Sequence, residues 1–184
     1  SAQGWLRQRL LTRTDGGRLM PDIDKVIDLS ACPLADEGFI TACRDQLDRD
    51  GVVTIPGFLR EAARKALVAE AGAESPNAFF TSSTHNVYLT PPRPELGAAH
   101  VFNRQISSSK GCITTDQVPA ASGLHAIYGA PAFRRFLACV VGETALYEYA
   151  DPLSSINVHY AAAGQELGWH FDNSSFAVTL LLQA

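Results

Sequence analysis

The sequence predicts a mixed α+β fold, mainly β in its second half, in which helices buttress a sheet core. Two observations carry this. From Asp151 to Ala184 the chain reads as three short strands separated by two breaks. Upstream, the stretches 36–49, 59–71 and 131–141 carry apolar residues at helical spacing or dense helix formers. A length of 184 residues fits one domain, 1–184. Residues 1–97 hold helices, short strands and a Pro-rich loop, and residues 98–184 hold the β core.

Composition narrows the function classes. With 46% hydrophobic and 18% charged residues and a net charge of −4, nothing draws the chain to nucleic acid or to an anionic membrane. No apolar run is long enough to span a bilayer and no secretory hydrophobic region opens the sequence, so a cytoplasmic protein is expected. Cys32, Cys43, Cys112 and Cys139 show no C-x-x-C spacing, and reduced thiols are the expectation.

The elements follow in order. Ser1 to Met20, rich in Arg and Leu, is read as a short helix with a turn at Asp15-Gly16-Gly17, and Pro21 to Ser30 as a short strand. Asp36 to Arg49 places Phe39, Ile40, Cys43 and Leu47 on one helical face and stops at Gly51. A strand at 51–59, broken at Pro56-Gly57, leads into a helix over 59–71. Gly72 to Gly97, with Pro76, Pro91, Pro92 and Pro94, reads as an irregular connection; His85 within it is given no ligand role.

Ala98 to Ile106 is expected as a strand, followed by a polar turn at SSSKGC. Arg104 on that strand needs acceptors, either in a structural salt bridge or as a bidentate clamp on a substrate carboxylate. Pro131 to Val141 is a helix with Pro in its first turn and Gly142 after its end, and Leu146 to Tyr149 is a strand. Glu148 and Asp151 are either turn carboxylates or partners of a substrate ammonium.

The last stretch carries the chemistry. Ser155 to Tyr160 alternates Ile156, Val158 and Tyr160 with Ser155, Asn157 and His159. In WHFD, strand periodicity sends His170 and Asp172 to one face and Trp169 and Phe171 to the other. An imidazole and a carboxylate so placed are two of the three ligands of a 2-His-1-carboxylate iron site. The bland alternative is a solvated strand surface. Phe176 to Leu182 is read as a buried strand with apolar side chains on both faces.

The layout strand–Tyr160–Gly loop–His170-x-Asp172–apolar strand resembles the first metal-binding half of the double-stranded β-helix of Fe(II)/2-oxoglutarate oxygenases. The segments FNRQISSSKG, LYEYADPLSSINVHY and ELGWHFDNSSFAVTLLLQ are similar to the branch of free-amino-acid halogenases and hydroxylases, the HalD/BesD-like enzymes. The resemblance implies a jelly-roll, cupin-like core with N-terminal buttressing helices, and Fe(II), 2-oxoglutarate and O2 as cofactors. It implies hydroxylation of an unactivated C–H on a small amino-acid-like substrate. His170 and Asp172 would be iron ligands and catalytic, and Tyr160 and Asn157 would hold 2-oxoglutarate. Arg104, Asp151, Glu148, Asn173 and Trp169 would contact substrate. Halogenases of the family carry Gly where Asp172 stands, so a hydroxylase or desaturase is implied.

An eight-stranded core needs roughly 80 residues or more, and 31 remain from Ser154. The expectation is therefore that only the first half of the core is present here. A third His and the 2-oxoglutarate Arg would lie elsewhere, in a longer polypeptide, a second chain completing the barrel, or a homodimer. Two other readings stand beside the oxygenase. One is a non-catalytic β-helix module binding a ligand or partner chain; the other is a cupin-type metal enzyme without a keto acid.

Overall fold

Helix ends in this chain are written in its caps. In the computed structural model, which describes residues 14–15, 18–19, 22–149, 151 and 153–184, the chain divides into two units. One comprises 1–67 with 118–151, the other 68–117 with 152–184.

Among its described residues the first unit is helical apart from a minimal two-stranded sheet and a single bridge. Strand β1 (Thr14–Asp15) pairs antiparallel with β2 (Arg18–Leu19); the rest of the helix expected over 1–20 lies outside the described residues. The strand expected over 21–30 is instead one helical turn, α1 (Ile23–Val26), followed by a single bridge from Ile27 to Leu59. The Ile27 N–H closes back on Ile23 at 2.8 Å. Across the bridge, Gly57 at φ 70° turns the opposite chain away and limits the pairing.

Helix α2 (Glu37–Asp50) starts where Asp36 accepts the Phe39 N–H at 2.7 Å and ends at left-handed Gly51. Helix α3 (Glu61–Glu74) follows, then α4 (Gly123–Tyr128) and α5 (Pro131–Val141), whose first residue is the proline and whose stop is Gly142. The apolar faces of α2 and α5 meet: Phe39 stacks on Phe136 with ring centroids 5.7 Å apart, and Phe133 contacts Phe58. Burying Phe136 contributes about 2–3 kcal/mol. Val26, Ile27, Cys32, Leu34, Leu67 and Ile127 complete this interior.

The second unit holds a three-stranded antiparallel sheet in the order β3-β4-β5, with β3 at Phe79–His85, β4 at Ile106–Ile113 and β5 at Val158–Tyr160. Three expectations change here. The stretch 79–85 is a strand within the segment read as irregular, and SSSKGC is strand rather than turn. Both are polar, and they are strands because they pair with each other in continuous register, from Phe79 opposite Cys112 to His85 opposite Ile106. The strand expected at 98–106 is a 3-10 turn over Val101–Asn103. There His100 accepts the Phe102 N–H, and buried Asn103 ties the loop to Arg93 and Gly97. The apolar run 176–182 and the stretch 146–149 form no strand among the described residues, and Val178 and Leu181 are exposed.

The observed architecture is thus mixed α/β with a small antiparallel sheet. Among the described residues no helix is long and apolar enough to cross a membrane.

Candidate metal centre

His170 and Asp172 lie in an extended segment laid along the end of the β3–β4 pair. Three contacts hold it there. The Glu166 carbonyl accepts the Ser109 N–H at 2.7 Å, and the Val87 carbonyl accepts the Phe171 N–H at 2.7 Å. Between them Gly168 is buried so closely that a Cβ would stand 2.6 Å from the Ser107 carbonyl oxygen and 3.2 Å from His85 Nε2.

His170 and Asp172, two residues apart, approach each other here without a formal strand. Phe171 turns to one side and stacks on Tyr88 at 5.5 Å, which in turn stacks on Phe102. His170 Nε2 and Asp172 Oδ1 stand 3.2 Å apart. His85, at the end of β3, sets its ring edge-on to the His170 ring, with centroids 5.6 Å apart.

The tautomer of His170 follows from its neighbours. Nδ1 lies 2.7 Å from the Gly168 carbonyl, which can only accept, so Nδ1 carries the proton. Nε2 then presents either a second proton or a lone pair to the Asp172 carboxylate. A lone pair facing a carboxylate at 3.2 Å repels unless a cation lies between them. Neighbouring ligands at bond lengths near ~2.1 Å stand about 3 Å apart, so this donor pair fits a divalent metal. Among the described residues no third His, Cys, Asp or Glu joins them in a metal-binding cluster.

The other expected site residues are dispersed. The Tyr160 hydroxyl donates to the Ala71 carbonyl at 2.8 Å, and burial, then the Glu74 carboxylate, raise its pKa, keeping it a donor. Tyr160 pairs with Gly111, whereas His85 pairs with Ile106. Five residues of β4 separate those positions, about 17 Å at ~3.4 Å per residue. Tyr160 is thus a sheet anchor at the opposite end from His170, and the keto-acid role expected of it does not fit. Tyr160→Phe is expected to cost about 1 kcal/mol in chemical denaturation through the lost hydrogen bond, with no effect on 2-oxoglutarate affinity; weakened 2-oxoglutarate binding would restore the original assignment.

Asn157 is at the same end, accepting from Cys112 Sγ at 3.7 Å and donating to Ser154. Arg104 follows the 3-10 turn rather than lying on a strand; it is exposed and forms no ion pair among the described residues. Trp169 is 84% exposed and Asn173 is exposed beside the pair. Glu148, ion-paired with Arg134, and Asp151 both belong to the other unit.

Sequence reasoning gave His85 no ligand role, and its contacts here are a ring contact and a backbone hydrogen bond; what it missed is Asn86 and the packing of Tyr88 on Phe171. The signal was the Thr- and Phe-bearing run FFTSSTH, obscured by the prolines that flank it. No protein-family model and no curated protein matches the chain.

Proposed function

We propose that this chain holds a divalent metal of the non-haem iron type through His170 and Asp172, and serves an Fe(II)/2-oxoglutarate-dependent oxygenase acting on a small amino-acid-like substrate. The observation that carries the reading is the 3.2 Å approach of His170 Nε2 to Asp172 Oδ1 with Nδ1 already committed to the Gly168 carbonyl. That arrangement favours a metal over an acid–base dyad. In a dyad Nε2 would face the substrate; here it faces Asp172 Oδ1 at 3.2 Å, the spacing of two donors to one metal. When bound, iron of this kind supplies oxygen activation for attack on a C–H bond.

The chain's own residues supply the rest. The Gly168 carbonyl fixes the imidazole tautomer, and the Asp172 carboxylate offsets the charge of the cation. The exposed Trp169 ring and the Asn173 amide flank the pair, so an apolar surface and a polar group are both offered to a neighbouring molecule. Tyr160 and Asn157 have no role in this reading, and the co-substrate would be held by other groups. A double-stranded β-helix core and a third ligand from outside the described residues belong to the same proposal.

Anaerobic titration with Fe(II), then 2-oxoglutarate, tests it. The expected result is stoichiometric metal binding followed by a weak visible charge-transfer band. Metal binding without the band would retain the metal centre and remove the keto acid, leaving a cupin-type enzyme. No metal binding would sink the reading altogether.

A further inference from the structure

We propose that Asn86 is a positioning residue for the His170–Asp172 pair, acting through the turn it organises at the end of β3. The inference rests on the metal-centre reading only for its metal-binding arm. Asn86 is 1% exposed, and it anchors four groups. Its Oδ1 accepts the Tyr88 N–H at 3.1 Å and the Thr90 N–H at 3.2 Å. Its backbone carbonyl lies 3.0 Å from His85 Nδ1 and accepts the Leu89 N–H at 3.1 Å. The carbonyl can only accept, so His85 Nδ1 carries a proton.

Two of the residues so fixed, His85 and Tyr88, touch the His170 segment, and so does Val87 between Asn86 and Tyr88. The His85 ring lies edge-on to the His170 ring, the Val87 carbonyl holds the Phe171 N–H, and the Tyr88 ring stacks on Phe171. Residue 171, between the two ligand residues, is therefore held by its backbone and by its ring from one turn. Asn86 itself touches neither ligand residue in any of these contacts, and it acts through the three that do.

The turn retains two local costs. Leu89 sits at φ 54°, a left-handed conformation that side chains disfavour. The Asn86 Nδ2 group is buried without a hydrogen-bond partner among the described residues. Flipping the amide would not remove the second cost, because it would set the NH2 group against two N–H donors. Costs of this kind persist where surrounding structure over-determines a conformation, and they cluster at functional sites. An aspartate would keep the two accepted bonds and remove the orphaned donor, whereas an alanine would lose both bonds.

The test uses Co(II) alone as the metal probe, followed by visible absorption. A second readout is the 15N NMR signature of the His170 ring in metal-free protein. Asn86→Ala is expected to bind Co(II) about tenfold more weakly, the low end of what outer-shell changes cause. Its His170 ring should lose the single Nδ1-protonated signature and average between states. Asn86→Asp should recover both properties, which a merely space-filling role would not allow. Tyr88→Ala, at a ring that is 44% exposed, should reproduce some of the Asn86→Ala loss.

An Asn86→Ala protein that matches the parent in both readouts would overturn the proposal, as would an Asp variant no better than Ala. If Asn86→Ala fails to fold, Tyr88→Ala decides in the same way. If the parent binds no Co(II), the metal-centre reading falls, and the NMR comparison alone upholds or overturns the positioning role.

Discussion

His170→Ala and Asp172→Ala are each expected to lower divalent-metal affinity by at least about 100-fold, the upper end of what even outer-shell changes produce. Both donors lie in one segment, 3.2 Å apart, and removing either leaves that segment with a single donor. Asp172→Asn separates charge from shape: it keeps an oxygen in place but not the anion, and an intermediate loss is expected. The fold should be nearly indifferent to all three changes, because Asp172 is about half exposed and such partly solvated pairs contribute about 1 kcal/mol or less. Calorimetric metal titration together with chemical denaturation checks this. Unchanged affinity in either alanine variant would mean that the pair is an ordinary surface ion pair.

On the metal-centre reading, Gly168→Ala is expected to remove metal binding while leaving His170 and Asp172 in the sequence. The added Cβ would stand 2.6 Å from the Ser107 carbonyl oxygen and 3.0 Å from the Ile106 side chain. Ser107 is held in register opposite Thr84, so the segment must yield rather than the sheet. Overpacking of this kind costs about 1–3 kcal/mol, read as a lower denaturation midpoint. Gly164→Ala is the control. Gly164 has open space around it but a φ of 84°, so its substitution should cost about 1–2 kcal/mol of local strain and spare the metal site. Equal metal affinity in the Gly168 variant and the parent would show that the segment's seat on β4 is immaterial.

These two glycines also mark how far the site could be read in advance. From the sequence both are simply chain breakers. One is required by backbone conformation and the other by the approach of a neighbouring strand, and the second reason involves residues about 60 positions or more away. The approach of His170 to Asp172 was legible because their relation is local, two residues apart along an extended segment. The helices around Cys43 and Phe136 were legible for the same reason, with Asp36, Gly51, Pro131 and Gly142 marking their ends.

Strands β3 and β4 were not legible as such. Neither shows an apolar alternation, and each becomes a strand through pairing with the other. Tyr160 illustrates a further gap. Ten residues separate it from His170 in sequence, yet the register of β4 sets it at the far end of the sheet. Proximity along the chain carries little information once a loop intervenes.

The interior of the sheet-bearing unit has a thermal consequence. Among the described residues, Ile113 is its one buried apolar side chain, alongside the buried polar Asn86, Asn103 and Ser108. The helical unit instead encloses Phe136, Ile27, Leu67 and Val140. Apolar burial gives unfolding a positive heat-capacity change, whereas polar burial diminishes it. The loops closed by Asn86 and Asn103 therefore belong to a region of the protein whose resistance to opening varies little on cooling, while the aromatic interior of α2 and α5 weakens as water becomes a better solvent for it. Amide exchange followed from about 5 to about 35 °C would separate the two behaviours, with the shallower temperature dependence at residues 86–90 and 103–113.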